Sequence, residues 1–158
     1  MIHQVVGDLL NSSCDYICHQ VNCQGRMGSG IAKSIKERWP AVYTGYMDFC
    51  NYHLPRSGPK GLLGQCQIIG VNDNLTVINM FGQESYGYDG KRYTSYDAFW
   101  SCLGKIREIV PKGAKIGFPK GVGCGLGGAN WNVIYEMINQ VLGKDYNVYI
   151  YSLEGGNR

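Results

Sequence analysis

His19-Gln20-Val21-Asn22-Cys23-Gln24-Gly25-Arg26-Met27-Gly28-Ser29-Gly30-Ile31-Ala32 is the stretch on which the reading of this chain turns. A short apolar run ends in a glycine-rich turn. The turn opens onto Ile31, Ala32, Ile35 and Trp39 at helical spacing, with Lys33, Lys36, Glu37 and Arg38 mostly outward and Pro40 as the stop. Glycine lets the backbone aim its N–H groups at a ligand, and the N-terminus of a following helix adds partial positive charge, which suits a phosphate. A second stretch repeats the arrangement about a hundred residues later: Phe118-Pro119-Lys120-Gly121-Val122-Gly123-Cys124-Gly125-Leu126-Gly127-Gly128-Ala129-Asn130-Trp131. One such loop is a weak signal. Two of them suggest closure on one diphosphate.

Outward from these loops, strands and helices alternate. Ile2 to Val6 and Tyr16 to Val21 read as strands, and Ala41 to Tyr52 as a helix closed by Pro55, with a connector from Pro55 to Gly61. Gln65 to Val71 and Leu75 to Phe81 flank Asn72-Asp73-Asn74, which has the composition of a tight hairpin turn. The segment from Gly82 to Arg92 is polar and too long for a minimal turn. Ser95 to Val110 carries the stripe Phe99, Leu103, Ile106 and Val110, and Pro111 ends it. Lys115 to Phe118 is a buried strand. Asn130 caps a helix bearing Trp131, Ile134, Ile138 and Val141, with Gly143 as its stop, and Tyr146 to Tyr151 is the last strand. Strands mixed with crossover helices predict a three-layer α/β/α domain with a mixed central sheet. Ligands in such sheets sit beyond the carboxyl ends of the strands, where both glycine loops fall.

The chain has 158 residues, one domain's worth, read as a core over about 2–151 and a C-terminal tail over 152–158 that frays from Glu154. Twenty-three residues are glycine, about twice the ordinary share of roughly 7%. A net charge of +3 without a basic run argues against an extended nucleic-acid surface, though not against a single nucleotide. Seven cysteines without a CxxC pair, no signal peptide and no long apolar span read as reduced thiols in a cytoplasmic, membrane-free monomer. No ligand spacing for zinc is present, and no cofactor is expected. Gly25 and Gly30 have Walker A spacing, but Ile31-Ala32 stand where Lys and Ser/Thr belong, so nothing reaches β/γ-phosphates or magnesium. Gly123, Gly125 and Gly128 match GxGxxG, but too late in the chain for a Rossmann unit.

Three pieces together resemble the macrodomain family: Val5-Val6-Gly7-Asp8-Leu9-Leu10, the first glycine loop with its helix and Trp39-Pro40 end, and Gly123-Cys124-Gly125-Leu126 before a Trp-led helix. They look most similar to the branch of the yeast ADP-ribose-1''-phosphate phosphatase, terminal ADP-ribose glycohydrolases and antitoxin macrodomains. The resemblance implies ADP-ribose binding and hydrolysis at the distal ribose, most of all of the 1''-phosphate. Its alternatives are removal of ADP-ribose from protein or DNA, and a non-catalytic reader.

By that resemblance Asp8, with Leu9 beside it, accepts the adenine amino hydrogen; alone, it reads as a turn or cap aspartate. Asn22 faces the distal ribose, or else caps its loop. Gly28, Ser29, Gly30 and Ile31 form the first diphosphate loop, and Gly123, Cys124, Gly125 and Leu126 the second. Phe118 and Phe81 line the adenine or ribose walls, or are plain core. For chemistry, His19 matches a functional histidine of the phosphatases and would act as general acid or nucleophile; otherwise it is a buried strand histidine. Lys91 sits where glycohydrolases carry a lysine nucleophile, or is merely solvated. Glycohydrolase relatives follow the second loop with an aspartate, whereas this chain has Gly127-Gly128-Ala129-Asn130, and an amide does not titrate. Asp89 is the replacement carboxylate if its loop folds over the distal ribose.

Overall fold

The computed structural model describes residues 1–153; the expected fray over 154–158 lies outside them. The elements are β1 (Ile2–Val6), a 3-10 turn (Leu9–Asn11), β2 (Tyr16–Asn22), α1 (Gly30–Arg38), α2 (Pro40–Leu62), β3 (Cys66–Gly70), β4 (Thr76–Gln83), α3 (Tyr96–Ile109), β5 (Lys115–Pro119), α4 (Trp131–Leu142) and β6 (Asn147–Ser152). They form one six-stranded sheet of order β1-β6-β5-β2-β4-β3. All pairings are parallel except β3 against β4, the hairpin expected from Asn72-Asp73-Asn74. Asn72 Oδ1 accepts from the Asn74 N–H at 2.8 Å, the local bond for which asparagine is favoured in turns.

Alternation along the strands supplies both faces of the sheet. Cys18, Ile78 and Met80 pack against Phe99, Leu103, Ile134 and Ile138 of α3 and α4. Ile17, Val21, Val77 and Phe81 point the other way, against Leu9, Ile35, Val42, Tyr46 and Leu62. Each such side chain contributes about 1.5–3 kcal/mol on full burial, so the two layers hold the sheet between the helices. Ser95 and Asn130 cap α3 and α4 as expected, accepting from the Ala98 and Asn132 N–H groups.

One expectation fails. Pro55 does not close α2, which runs to Leu62 with a kink at Gly58 (φ 71°, ψ 178°), so the Pro55-to-Gly61 connector is helical on either side of that glycine. Proline removes one N–H and frees the carbonyl four residues earlier, but here that carbonyl belongs to exposed Asn51 and can be met by water. Arg56 donates to the Tyr52 carbonyl and Ser57 to that of His53, supporting the same turn. Pro59 then starts the last turn, where its fixed φ is favourable.

Candidate functional site

Five parallel strands place their carboxyl ends along one edge of the sheet, and a cavity of about 570 Å³ opens there. That volume lies within the usual range for small-molecule sites. Its floor is Gln20, Val21 and Asn22 at the end of β2, with Gln83 at the end of β4. One wall is Arg26, Gly28, Ser29, Gly30, Ile31 and Ala32; the opposite wall runs from Pro119 to Gly127. Tyr86 and Tyr88 close the side beyond β4. The two glycine loops therefore face each other across one space.

The first loop is shaped from beneath. Asn22 Oδ1 accepts from the N–H of Gln24 (2.9 Å) and of Arg26 (3.4 Å), while its Nδ2 donates to the Arg26 carbonyl (2.9 Å). Tyr46, buried on α2, reaches the same turn: its hydroxyl contacts the Asn22 carbonyl at 2.7 Å and accepts from the N–H of Gly25 and Arg26, each at 3.1 Å. Burial pushes that phenol's pKa up, so the hydroxyl keeps its proton and its bonding pattern. Gly25 and Gly30 take φ of 78° and 60°, conformations that side chains resist. Ser29 precedes α1 without a side-chain cap, and Gly30, Ile31 and Ala32 of the first turn line the cavity.

The second loop is shaped by its own backbone and by a neighbouring segment. Gly121, Gly123 and Gly128 have positive φ. The Cys124 N–H donates to the Gly121 carbonyl, Gly128 to Gly125 and Ala129 to Gly123. The N–H groups of Leu126 and Gly127 have no acceptor among the described residues, and both residues line the cavity. Thr94 donates to the Gly123 carbonyl at 2.7 Å and accepts from Gln20 Nε2 at 2.8 Å, and Gln20 also donates to Gln83 at 2.7 Å.

The residues expected from sequence divide accordingly. Asn22, Gly28, Ser29, Gly30, Ile31, Gly123, Gly125 and Leu126 line the cavity. Asn22 does so with its amide already committed to the loop, so the loop-capping alternative holds for it. Cys124 turns inward, its thiol donating to the Val122 carbonyl and raised to about 11 by burial. Phe118 and Phe81 are fully buried, one in each layer, and are core rather than wall. Leu9 is core too, lying under Gly117. Asp8 sits at the same sheet edge beyond β1, where it caps the 3-10 turn by accepting from the Leu10 N–H at 3.0 Å.

His19 is the main correction. It lies on β2 between Ile17 and Val21, on the face covered by α2, and is fully buried away from the cavity lining. Its Nε2 meets Asn79 Oδ1 at 2.5 Å; Asn79 donates to Gln67, and Gln67 to the Gly45 carbonyl of α2. Burial, opposed by the Asn79 bond, lowers its pKa to about 4, so the ring is neutral at pH 7. A general acid must touch its substrate, and from here His19 does not. Neither Lys91 nor Asp89 lines the cavity, though Asp89 directly follows Tyr88, which does. Lys91 Nζ is 3.8 Å from Asp89 Oδ2, and both side chains are largely exposed. The Tyr93 hydroxyl on Asp89, at 2.9 and 3.0 Å, holds that carboxyl below the usual range, aided by the Lys91 N–H.

Sequence reasoning missed Gln20, Gln83, Tyr46, Tyr86 and Tyr88. The first three act through contacts between distant elements, which no local pattern displays. The tyrosines were visible in the 82–92 segment as aromatics flanking Gly87.

No family model matches the chain. An ADP-ribose 1''-phosphate phosphatase of Meyerozyma guilliermondii is 32% identical over 112 residues, covering 69% of this chain and 61% of its own. A DNA ADP-ribosyl glycohydrolase of Mycobacterium tuberculosis is 27% identical over 160 aligned positions, covering 100% of this chain and 44% of its own. The chain thus spans about half the length of these two relatives. The solved macrodomain of Mycobacterium tuberculosis DarG superposes with a TM-score of 0.72 at 25% identity, covering 96% of this chain and 97% of that one. Among the described residues no helix is long and apolar enough to cross a membrane. Likeness in both sequence and fold, extending over nearly the full chain, gives this protein the macrodomain fold and makes it similar to the branch of the yeast ADP-ribose 1''-phosphate phosphatases.

Proposed function

We propose that the chain binds ADP-ribose in this cavity and hydrolyses a group from its distal ribose, with ADP-ribose 1''-phosphate as substrate. The observation that carries this reading is the meeting of two glycine loops across one cavity, each presenting backbone N–H groups where a diphosphate would lie. Adenine then extends toward Asp8 beyond β1. The distal ribose extends the other way, over Gln20, Asn22 and Gln83 toward the 84–95 loop.

Within that pose Asp89, ionised and next in sequence to the cavity-lining Tyr88, takes a proton from water as the water oxygen bonds to phosphorus. The bond from phosphorus to the C1'' oxygen breaks, and that oxygen gains a proton from solvent. Lys91 offsets charge on the phosphoryl oxygens. The seven free thiols fit a reducing, cytoplasmic setting, in which the domain works as a monomer on a small ligand, without membrane or extended nucleic-acid contact. A second reading, removal of ADP-ribose from DNA or protein, is favoured by the Lys91–Asp89 pair, which brings a nucleophilic amine and a carboxylate together in the loop that follows the cavity-lining Tyr88.

The test is a product assay with ADP-ribose 1''-phosphate, ADP-ribosylated protein and ADP-ribosylated DNA. Release of ADP-ribose and phosphate from the phosphate ester supports the first reading. Release from a macromolecule alone selects the second. ADP-ribose binding without product from any substrate leaves a reader module.

A further inference from the structure

No aspartate, glutamate or histidine side chain lines the cavity among the described residues, so a carboxylate acting there has to be delivered from its rim. Glu84 faces a separate depression with Arg92 and Asp97. Asp8 is assigned to the adenine end, so Asp89, next in sequence to the cavity-lining Tyr88, remains, and its surroundings are built rather than loose. The Tyr93 hydroxyl lies against both carboxylate oxygens, and the Lys91 N–H donates to one of them. The Tyr93 hydroxyl also occupies the space a side chain on Gly87 would need, 2.3 Å from its Cβ position, so the loop is folded onto that ring.

The same segment is fastened to the second glycine loop. The Tyr93 and Thr94 N–H groups both donate to the Gly127 carbonyl, at 2.8 and 2.9 Å, and Thr94 Oγ1 donates to the Gly123 carbonyl. A Cβ on Gly127 would fall 2.5 Å from Gly123 O and Thr94 Oγ1, and one on Gly128 2.8 Å from the Lys91 carbonyl. The two glycines form a seat that any larger residue would fill.

We infer that Tyr93 and Thr94 are positioning residues, docking the 84–95 loop on the Gly127-Gly128 seat so that the Asp89 carboxylate is held beside the bound distal ribose. Diphosphate binding at the second loop and placement of Asp89 are then one event. The inference rests on the ADP-ribose pose proposed above. Among the described residues the titratable groups in contact with Asp89 are Tyr93 and Lys91, both from its own loop, while the 91–94 segment meets the second loop at Gly123, Gly127 and Gly128.

Carboxyl-carbon NMR of Asp89, with and without ADP-ribose, tests this independently of turnover. In the wild type ADP-ribose shifts the Asp89 resonance. Tyr93→Phe raises its titration midpoint toward the ordinary carboxylate value; Thr94→Val removes the ligand-induced shift, and Thr94→Ser restores it. An Asp89 resonance indifferent to saturating ADP-ribose, a midpoint unchanged in Tyr93→Phe, or Thr94→Ser no better than Thr94→Val overturns the inference. In the pH–rate profile for ADP-ribose 1''-phosphate, Tyr93→Phe moves the acid limb of kcat upward with KM little changed. Absence of turnover alongside the expected NMR result rejects the reaction and still supports the positioning.

Discussion

The two glycine loops look alike in sequence and are built in opposite ways. The first is held from below by side chains: Asn22 and Tyr46 satisfy its N–H and carbonyl groups, and its glycines at 28 and 30 have no neighbour within 4 Å of a Cβ position. The second is held by backbone, and its glycines at 127 and 128 are packed against other main chain. The feeding strands differ likewise. β2 carries His19, Gln20 and Asn22, whereas β5 is apolar after Lys115. Gly28 and Gly30 of the first loop thus leave open space beside the cavity, whereas Gly127 and Gly128 at the end of the second are required by close packing.

The largest effect expected is on the open side of that contrast. Gly30→Val places a branched residue at a φ of 60° where the diphosphate must approach, and ADP-ribose binding disappears from a calorimetric titration while the domain still melts cooperatively. Ligand-induced stabilisation equal to that of the wild type would mean that the first loop is not a phosphate cradle.

Next comes the buried histidine of β2. Its pKa of about 4 in the fold lies below the ordinary 6.5, so the unfolded chain binds the extra proton first as pH falls. Stability is full above pH 6.5, declines between 6.5 and 4, and levels below that, a loss of about 3 kcal/mol from this group. Urea titrations across that window should show the slope in the wild type and lose it in His19→Gln. Turnover in a folded His19→Gln protein stays near that of the wild type, since the ring does not reach the cavity.

Asp8 lies outside both loops and tests the direction of the ligand. Asp8→Ala weakens ADP-ribose by about 1.5–3 kcal/mol, the range for a hydrogen bond to a charged group. Unchanged affinity by calorimetry would put adenine elsewhere.

The smallest effects separate the loops most cleanly. Gly127→Ala costs about 1–3 kcal/mol of stability through overpacking against Gly123 and Thr94. Gly28→Ala leaves stability unchanged or raises it by about 0.4–1 kcal/mol, yet weakens ADP-ribose. Equal stability losses in the two variants would erase the distinction.

Much of this was legible before the structure. Caps at Ser95 and Asn130, the turn at Asn72-Asp73-Asn74 and the strand–glycine–helix order of both loops are local signals, and each stands where its residues put it. α2 ran past Pro55, whose orphaned carbonyl at Asn51 is exposed to water, which lessens the cost of the missing bond. His19 was attractive by residue type, but strand alternation already aligned it with Ile17 and Val21, toward the core. The Gln20–Gln83–Thr94 bonds join residues 63 and 74 positions apart, and sequence pattern has no means of pairing them.

The central claim is that both loops close on one diphosphate. Backbone amide shifts of the labelled protein, followed during titration with ADP-ribose, test it most directly. The account predicts that the amides of residues 28–32 and of residues 123–127 move together, along curves described by a single Kd. Movement in one loop while the other stays silent, or two different affinities, would contradict it.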